Sequence, residues 1–132
     1  MIKITRLFKS FIYAFRGLVK VVREEQNFQI QLTAAILVFI AAVWLKISTT
    51  EWLVLMGIIL LVLLMELVNS AVERVTDLFK PRISTYVKEI KDIMAAAVLL
   101  ASLGAIVVGV IIFGPHVWSL ISRNWLAASC LF

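Results

Sequence analysis

The sequence predicts an all-α integral membrane protein: three spanning helices preceded by an amphipathic surface helix. Three observations carry that expectation. The 132-residue chain is 63% hydrophobic and only 16% charged, whereas soluble domains run at about 45–50% apolar and about 25% charged. A chain this short cannot hide such an excess in a core, because too much of its volume is surface. Its apolar residues fall in long runs separated by short charged connections, which is how a bilayer-spanning chain is written.

Each element follows from its own pattern. Residues 3–23 place Ile4, Phe8, Phe11, Phe15, Leu18 and Val22 on one side of a helix at about 100° per residue. Lys9, Tyr13, Arg16, Lys20 and Arg23 take the other side. A basic amphipathic helix beside a span suits the membrane interface, its apolar face in the acyl boundary. The first span is expected over residues 28–45. It opens on polar Gln29, Gln31 and Thr33, and Trp44 anchors its far end at an interface. The connection from Lys46 to Glu51 is too short for anything but a tight return. The second span, residues 52–73, is apolar from Trp52 to Met65 and then carries carboxylates at helical spacing.

A charged segment from Arg74 to Lys91 follows, with Pro81 expected to break the helix. The third span, residues 93–113, approaches the roughly 20 residues a bilayer needs. Its alanines and glycines allow close helix packing, and Gly114-Pro115 is expected to end it. The tail, 116–132, is short and apolar with Arg123, Trp118 and Trp125, and reads as an interfacial helix. The whole chain is expected to form one membrane domain.

Charge placement orients the chain. Of 13 basic residues, six precede the first span and five lie between the second and third, leaving Lys46 and Arg123 for the opposite side. The positive-inside rule puts the N-terminus and the charged segment in the cytoplasm and the C-terminus outside. The net charge of +5 therefore points to anionic headgroups. The basic residues sit beside spans and no nucleic-acid-binding motif is present, so no nucleic-acid partner is expected. A single cysteine, Cys130, allows neither an intrachain disulfide nor a cysteine metal site. No cleavable leader is expected, since no compact apolar stretch with a small-residue cleavage site follows the basic N-terminus.

The chemistry is concentrated on the second span. With Glu66 at zero, Asn69 lies near −60°, Ser70 near +40°, Glu73 near −20° and Asp77 near +20°, at about 100° per residue. The five form one polar stripe. Carboxylates at membrane depth are costly and face a protein interior or a wet cleft. Asp77 alone reads as the solvated helix end and Asn69 alone as interhelical glue. Glu66, directly after Leu60–Met65, has no such explanation. Glu24 and Glu25 precede the first span at the same level, and Lys91-Asp92 opens the third. Asp92 also complements the helix dipole there. Carboxylates from several helices with cations nearby suit a divalent metal and phosphate.

Residues 66–77, reading Glu-Leu-Val-Asn-Ser-Ala-Val-Glu-Arg-Val-Thr-Asp, resemble the signature of the prokaryotic diacylglycerol kinase/undecaprenol kinase family. So do Lys91-Asp92-Ile93-Met94-Ala95-Ala96-Ala97-Val98, and Glu24-Glu25-Gln26-Asn27-Phe28 match in place. The resemblance covers about residues 5–113. It implies homotrimeric enzymes of the bacterial inner membrane that transfer the γ-phosphate of ATP to a lipid hydroxyl. It further implies Glu66 as general base at the lipid substrate, Glu25 and Glu73 as Mg²⁺ ligands, and Lys91 and Arg6 on the phosphates. Asn69, Asp92 and Tyr13 would support the nucleotide, and Ala95 would lie at the lipid. No Walker A or Gly-rich kinase loop is present, so ATP enters through the resemblance alone.

Two departures bear on this. Arg82-Ile83-Ser84 stand where the family often has a Tyr-His pair, so the resemblance carries no nucleotide contact there. Ala95 stands where the diacylglycerol-specific branch tends to have serine, and the Lys-Asp-Ile-x-Ala-x-Ala-Val wording is closer to undecaprenol kinases. Undecaprenol is therefore slightly favoured over diacylglycerol. Without the resemblance the site reads as a metal or cation site. The competing readings are a small cation channel or transporter, against which spans one and three are apolar beyond their cytoplasmic ends, and a noncatalytic adaptor whose polar row only joins copies.

Overall fold

The computed structural model describes residues 4–78 and 84–129. Pro81 and Cys130 lie outside the described residues, as do the side chains of Arg123 and Trp125. Four helices follow one another: α1 (Ile4–Glu24), α2 (Gln26–Leu45), α3 (Thr49–Asp77) and α4 (Ser84–Ser129). The last three are each long and apolar enough to cross a membrane. An all-helical chain with three such helices behind an amphipathic one is what the composition calls for.

The joints are built from local chemistry. Between α1 and α2 only Glu25 leaves helical geometry, at φ −104° and ψ 107°. The Gln29 side chain donates to the carbonyls of Val22 (2.9 Å) and Arg23 (3.3 Å), so the last carbonyls of α1 are not orphaned at the turn. At the far end of α2, Lys46 is left-handed (φ 51°, ψ 50°). Its N–H donates to Val43 (3.3 Å), and the N–H of Ile47 donates to Ala42 (3.4 Å). That is the paired bonding of a Schellman end, with Ile47 buried beside Ala42 as its hydrophobic contact.

Ser48 then starts α3 with a capping box. Its hydroxyl accepts from the N–H of Glu51 (3.3 Å), while the Glu51 carboxylate accepts from the N–H of Ser48 (2.7 Å). The second Glu51 oxygen meets His116 Nε2 at 3.1 Å, which ties α4 to the start of α3. Ser48→Ala should therefore lower stability by about 1 kcal/mol, read as an earlier thermal unfolding midpoint in detergent. An unchanged midpoint would show that tertiary packing alone holds this corner.

A small cluster of Ala42, Ile47, Leu55 and Ile112, with the Phe39–Trp52 edge contact at 5.0 Å, closes this end of the bundle. Most other apolar side chains face outward, including Phe8, Phe11 and Phe15 of α1 and Leu99, Leu100 and Ile106 of α4. The spans bury so little of themselves that hydrocarbon or further protein must cover them.

α4 differs from expectation at both ends. Its first turns absorb residues 84–91, read from sequence as part of a charged segment. Beyond residue 113 the helix does not stop at Gly114-Pro115 but runs through Pro115 to Ser129. Pro115 removes one backbone donor, whereas ending a helix in apolar surroundings would orphan a whole turn of carbonyls. Gly114 offers no Cβ to clash with the proline ring. At 1.5 Å per residue the 46 residues of α4 rise about 69 Å, more than twice the roughly 30 Å hydrocarbon layer.

Candidate functional site

The polar stripe of α3 meets α2 at Glu66 and α4 at Asp77. Glu66 is 2% exposed, Asn69 7% and Ser70 1%, so three polar residues occupy the most buried part of a largely apolar helix. Ser70 satisfies its hydroxyl locally by donating to the Glu66 carbonyl at 3.0 Å. Such back-bonding is the ordinary way a helix hides a serine.

Glu66 is held from the neighbouring span. Gln31 on α2 donates from Nε2 to Glu66 Oε2 at 3.3 Å. The charges of Glu73 and Glu25 act on the same carboxyl, and Asn27 stands beside it. Burying a carboxylate among other carboxylates is costly unless donors or a cation offset it. An acid kept at such a position is a functional residue before it is a structural one.

One turn along α3, Asn69 donates from Nδ2 to Glu73 Oε1 at 3.1 Å. Arg74 reaches from the same turn to both acids at the α1–α2 joint, 2.9 Å to Glu25 Oε1 and 3.0 Å to Glu24 Oε2. Thr76 donates to the Glu73 carbonyl at 3.0 Å. Nearer the helix end, Lys91 of α4 meets Asp77 at 2.7 Å. Charged side chains from α1, α3 and α4 thus gather at one end of the bundle, with Glu24 and Glu25 paired to Arg74 and Asp77 to Lys91.

Several polar atoms within this assembly are buried without a hydrogen-bonding partner: Gln31 Oε1, Asn69 Oδ1 and Arg74 Nε. Buried polar groups are nearly always paired. Two orphaned carbonyl oxygens and one orphaned donor therefore mark a site shaped for something else. Hard cations take oxygen ligands, and Mg²⁺ uses one or two protein carboxylates with phosphate and water completing its shell. Among the described residues no three His, Cys, Asp or Glu side chains converge closely enough to hold an ion alone. Glu25, Glu73 and the unpartnered Asn69 Oδ1 are oxygen donors of the kind a hard cation takes.

The residues expected at the site divide into two groups. Glu25, Glu66, Asn69, Glu73 and Lys91 come to the same end of the bundle. Arg6 and Tyr13 lie exposed along α1, and Asp92 and Ala95 are exposed near the start of α4. Asp77, read alone as a solvated helix end, is exposed at the end of α3 and pairs there with Lys91. Gln31 and Arg74 were not singled out by sequence. A glutamine inside an apolar span was the available signal for the first. For the second it was an arginine lying on the buried stripe's own turn.

Comparison with known proteins bears on what this arrangement does. Residues 12–113 match the family model described as prokaryotic diacylglycerol kinase. The chain is 34% identical over 113 residues to the undecaprenol kinase of Bacillus subtilis, a match covering 86% of this chain and 92% of that protein. It is 30% identical over 112 residues to the diacylglycerol kinase of Escherichia coli K12, covering 85% and 92%. It is 35% identical over 115 residues to the diacylglycerol kinase of Synechocystis, covering 86% and 66%. The matched segment contains every residue placed at the buried site.

Proposed function

Because the chain belongs to the prokaryotic diacylglycerol kinase family, and so is a multi-pass membrane lipid kinase that uses ATP, we propose that Glu66 is where its lipid alcohol reacts. The observation that carries this reading is the burial of Glu66 between two spans, hydrogen-bonded by Gln31. The hydroxyl of a lipid within the bilayer reaches the carboxylate from the side. Its O–H proton passes to Glu66 as its oxygen bonds to the γ-phosphorus. The bond from that phosphorus to the β–γ bridging oxygen breaks, ADP leaves, and Glu66 later returns the proton to water. The demand on the protein is mostly positioning and charge neutralisation, with general base assistance from Glu66.

Glu25 and Glu73 would hold Mg²⁺, which supplies charge neutralisation to the phosphates when bound. Glu25 is at present engaged by Arg74, so loading the site requires that guanidinium to let go or to turn toward a phosphate. Lys91 and Arg6 contact phosphates in this reading, Asn69, Asp92 and Tyr13 support the nucleotide, and Ala95 borders the lipid. The site and the N-terminus face the cytoplasm of a bacterial cell with the C-terminus outside, which the distribution of basic residues supports. A homotrimer is proposed as well, and the outward apolar faces of the spans provide surface for it. Ion conduction is the weaker reading, because the space between the spans outward from Gln31 is lined by aliphatic and aromatic side chains with Ser102 as the exception.

Within the class undecaprenol is slightly favoured over diacylglycerol, supported by the Lys91–Val98 wording. In mixed micelles the kcat/KM for undecaprenol should exceed that for diacylglycerol. A preference for diacylglycerol would reverse the substrate assignment while leaving the kinase chemistry in place.

A further inference from the structure

Arg74 divides its hydrogen bonds unevenly. Nη2 alone makes both of its ion pairs, to Glu25 Oε1 at 2.9 Å and to Glu24 Oε2 at 3.0 Å, while Nε is buried without an acceptor. A guanidinium binds most strongly through two parallel N–H bonds to two oxygens of one anion. Neither acid takes it in that way. Two single contacts on one nitrogen leave the fork of the side chain unused. Buried donors are nearly always paired, so the orphaned Nε calls for an acceptor that the described residues do not supply.

The two ion pairs are also easily exchanged. The Glu24 side chain is 51% exposed and that of Arg74 36%, and exposed ion pairs contribute little. They nevertheless hold a joint. Glu25 is the one residue between α1 and α2 that leaves helical geometry, and of α1 itself only Val21 is buried. Arg74 directly follows Glu73 and lies eight residues beyond Glu66, a rise of about 12 Å along α3. Side chains on a helix lean toward its N-terminus, which for Arg74 is the Glu66 end. A phosphate chain that enters from the charged end of the bundle to react at Glu66 passes this joint.

We infer that Arg74 has two positions: it clasps Glu24 and Glu25 as seen here, and on nucleotide binding it turns its fork to the phosphate chain of ATP. The inference rests on the kinase reading for the identity of the anion. A phosphate offers the fork two oxygens at once, where each glutamate meets it through one. Glu25 is released in the same movement, so the anion's arrival frees a carboxylate of the kind a hard cation takes. The acids therefore compete with the nucleotide for one side chain. Glu24 has no other part in the reaction and acts on ATP affinity through Arg74.

Competition makes the test one of sign. Calorimetric titration of the detergent-solubilised protein with Mg²⁺ and an ATP analogue bearing an imido β–γ bridge reads affinity without turnover. Arg74→Ala should weaken binding roughly 10–100-fold, the weight of hydrogen bonds to charged groups. Glu24→Gln should tighten it roughly 2–5-fold, the worth of one exposed ion pair. A clasp that only held the joint would be broken by both substitutions and would shift affinity the same way in each. In the Arg74→Ala background the gain from Glu24→Gln should vanish. A gain of the same size there would come from the general field of the acid and overturns the competition. Arg74→Lys keeps a cation for both acids, and with it the joint, but lacks the fork. It should bind the analogue about tenfold more weakly than the parent, and parent-like affinity overturns the assignment. Equal binding by the parent, Arg74→Ala and Glu24→Gln overturns the role of Arg74 and leaves the kinase reading standing. Folded protein that binds no analogue overturns both.

Discussion

Glu66→Gln is expected to reduce kcat by about 10²–10⁴-fold, the contribution a positioned general base makes, with little change in the apparent KM for ATP. Glutamine has the size of glutamate and keeps an acceptor oxygen for Gln31 Nε2, so the contact between α2 and α3 survives the exchange. What disappears is the ability to take a proton from the lipid hydroxyl. Removing a charge that is buried beside Glu73 and Glu25 also relieves repulsion, so the variant should be at least as thermally stable as the parent. Slower turnover combined with unreduced stability is a signature that a merely structural acid would not give. Turnover in mixed micelles alongside a thermal unfolding curve reads both quantities. Activity retained within about tenfold would move the base elsewhere, given the size of that expected contribution.

Glu73→Gln should act on the metal requirement instead. Disturbing even the outer partners of a bound metal costs about 10–100-fold in affinity, and losing a ligating carboxylate should cost no less. The Mg²⁺ concentration for half-maximal rate should therefore rise by at least about tenfold, while the apparent KM for lipid stays nearly constant. Asn69 donates to Glu73 and can donate equally to the amide oxygen of the replacement, so the local hydrogen bond is kept. Glu25→Gln should raise the Mg²⁺ requirement as well, but it also weakens the hold on Arg74, which makes Glu73 the cleaner probe. A Mg²⁺ titration with unaltered midpoint would take Glu73 out of the metal shell.

The stripe on α3 was legible in the sequence because helical periodicity is geometric: residues separated by three, four and seven positions must share a face. Glu66 stood out for the same reason, since an acid following six apolar residues has no water to reach. Gln31 did not stand out, because a glutamine in the first turns of a span looks like headgroup solvation. Its meaning depends on a partner 35 residues away, which no local pattern encodes. Arg74 belongs by sequence to the basic residues of the following segment, yet it turns back to Glu24 and Glu25 across the bundle.

Pro115 shows the opposite failure, in which a sound local rule loses to the medium. Proline and glycine end helices where water can take over the freed carbonyls. Beside an apolar span the chain loses less by giving up one hydrogen bond and continuing. Arg6, Tyr13, Asp92 and Ala95 were placed at the site through family resemblance. In the folded chain they stand exposed, so their proposed roles depend on ligand, lipid or a neighbouring copy arriving at those faces.

In the proposed reaction a lipid hydroxyl meets γ-phosphate at a buried acid. The direct measurement is transfer of label from [γ-³²P]ATP in vesicles containing the purified protein and either undecaprenol or diacylglycerol, with Glu66→Gln run in parallel. Labelled lipid phosphate from the unsubstituted protein, dependent on added lipid alcohol and nearly absent with Glu66→Gln, is the predicted result. Folded protein that labels neither lipid, or a Glu66→Gln variant that labels as fast as its parent, would contradict it.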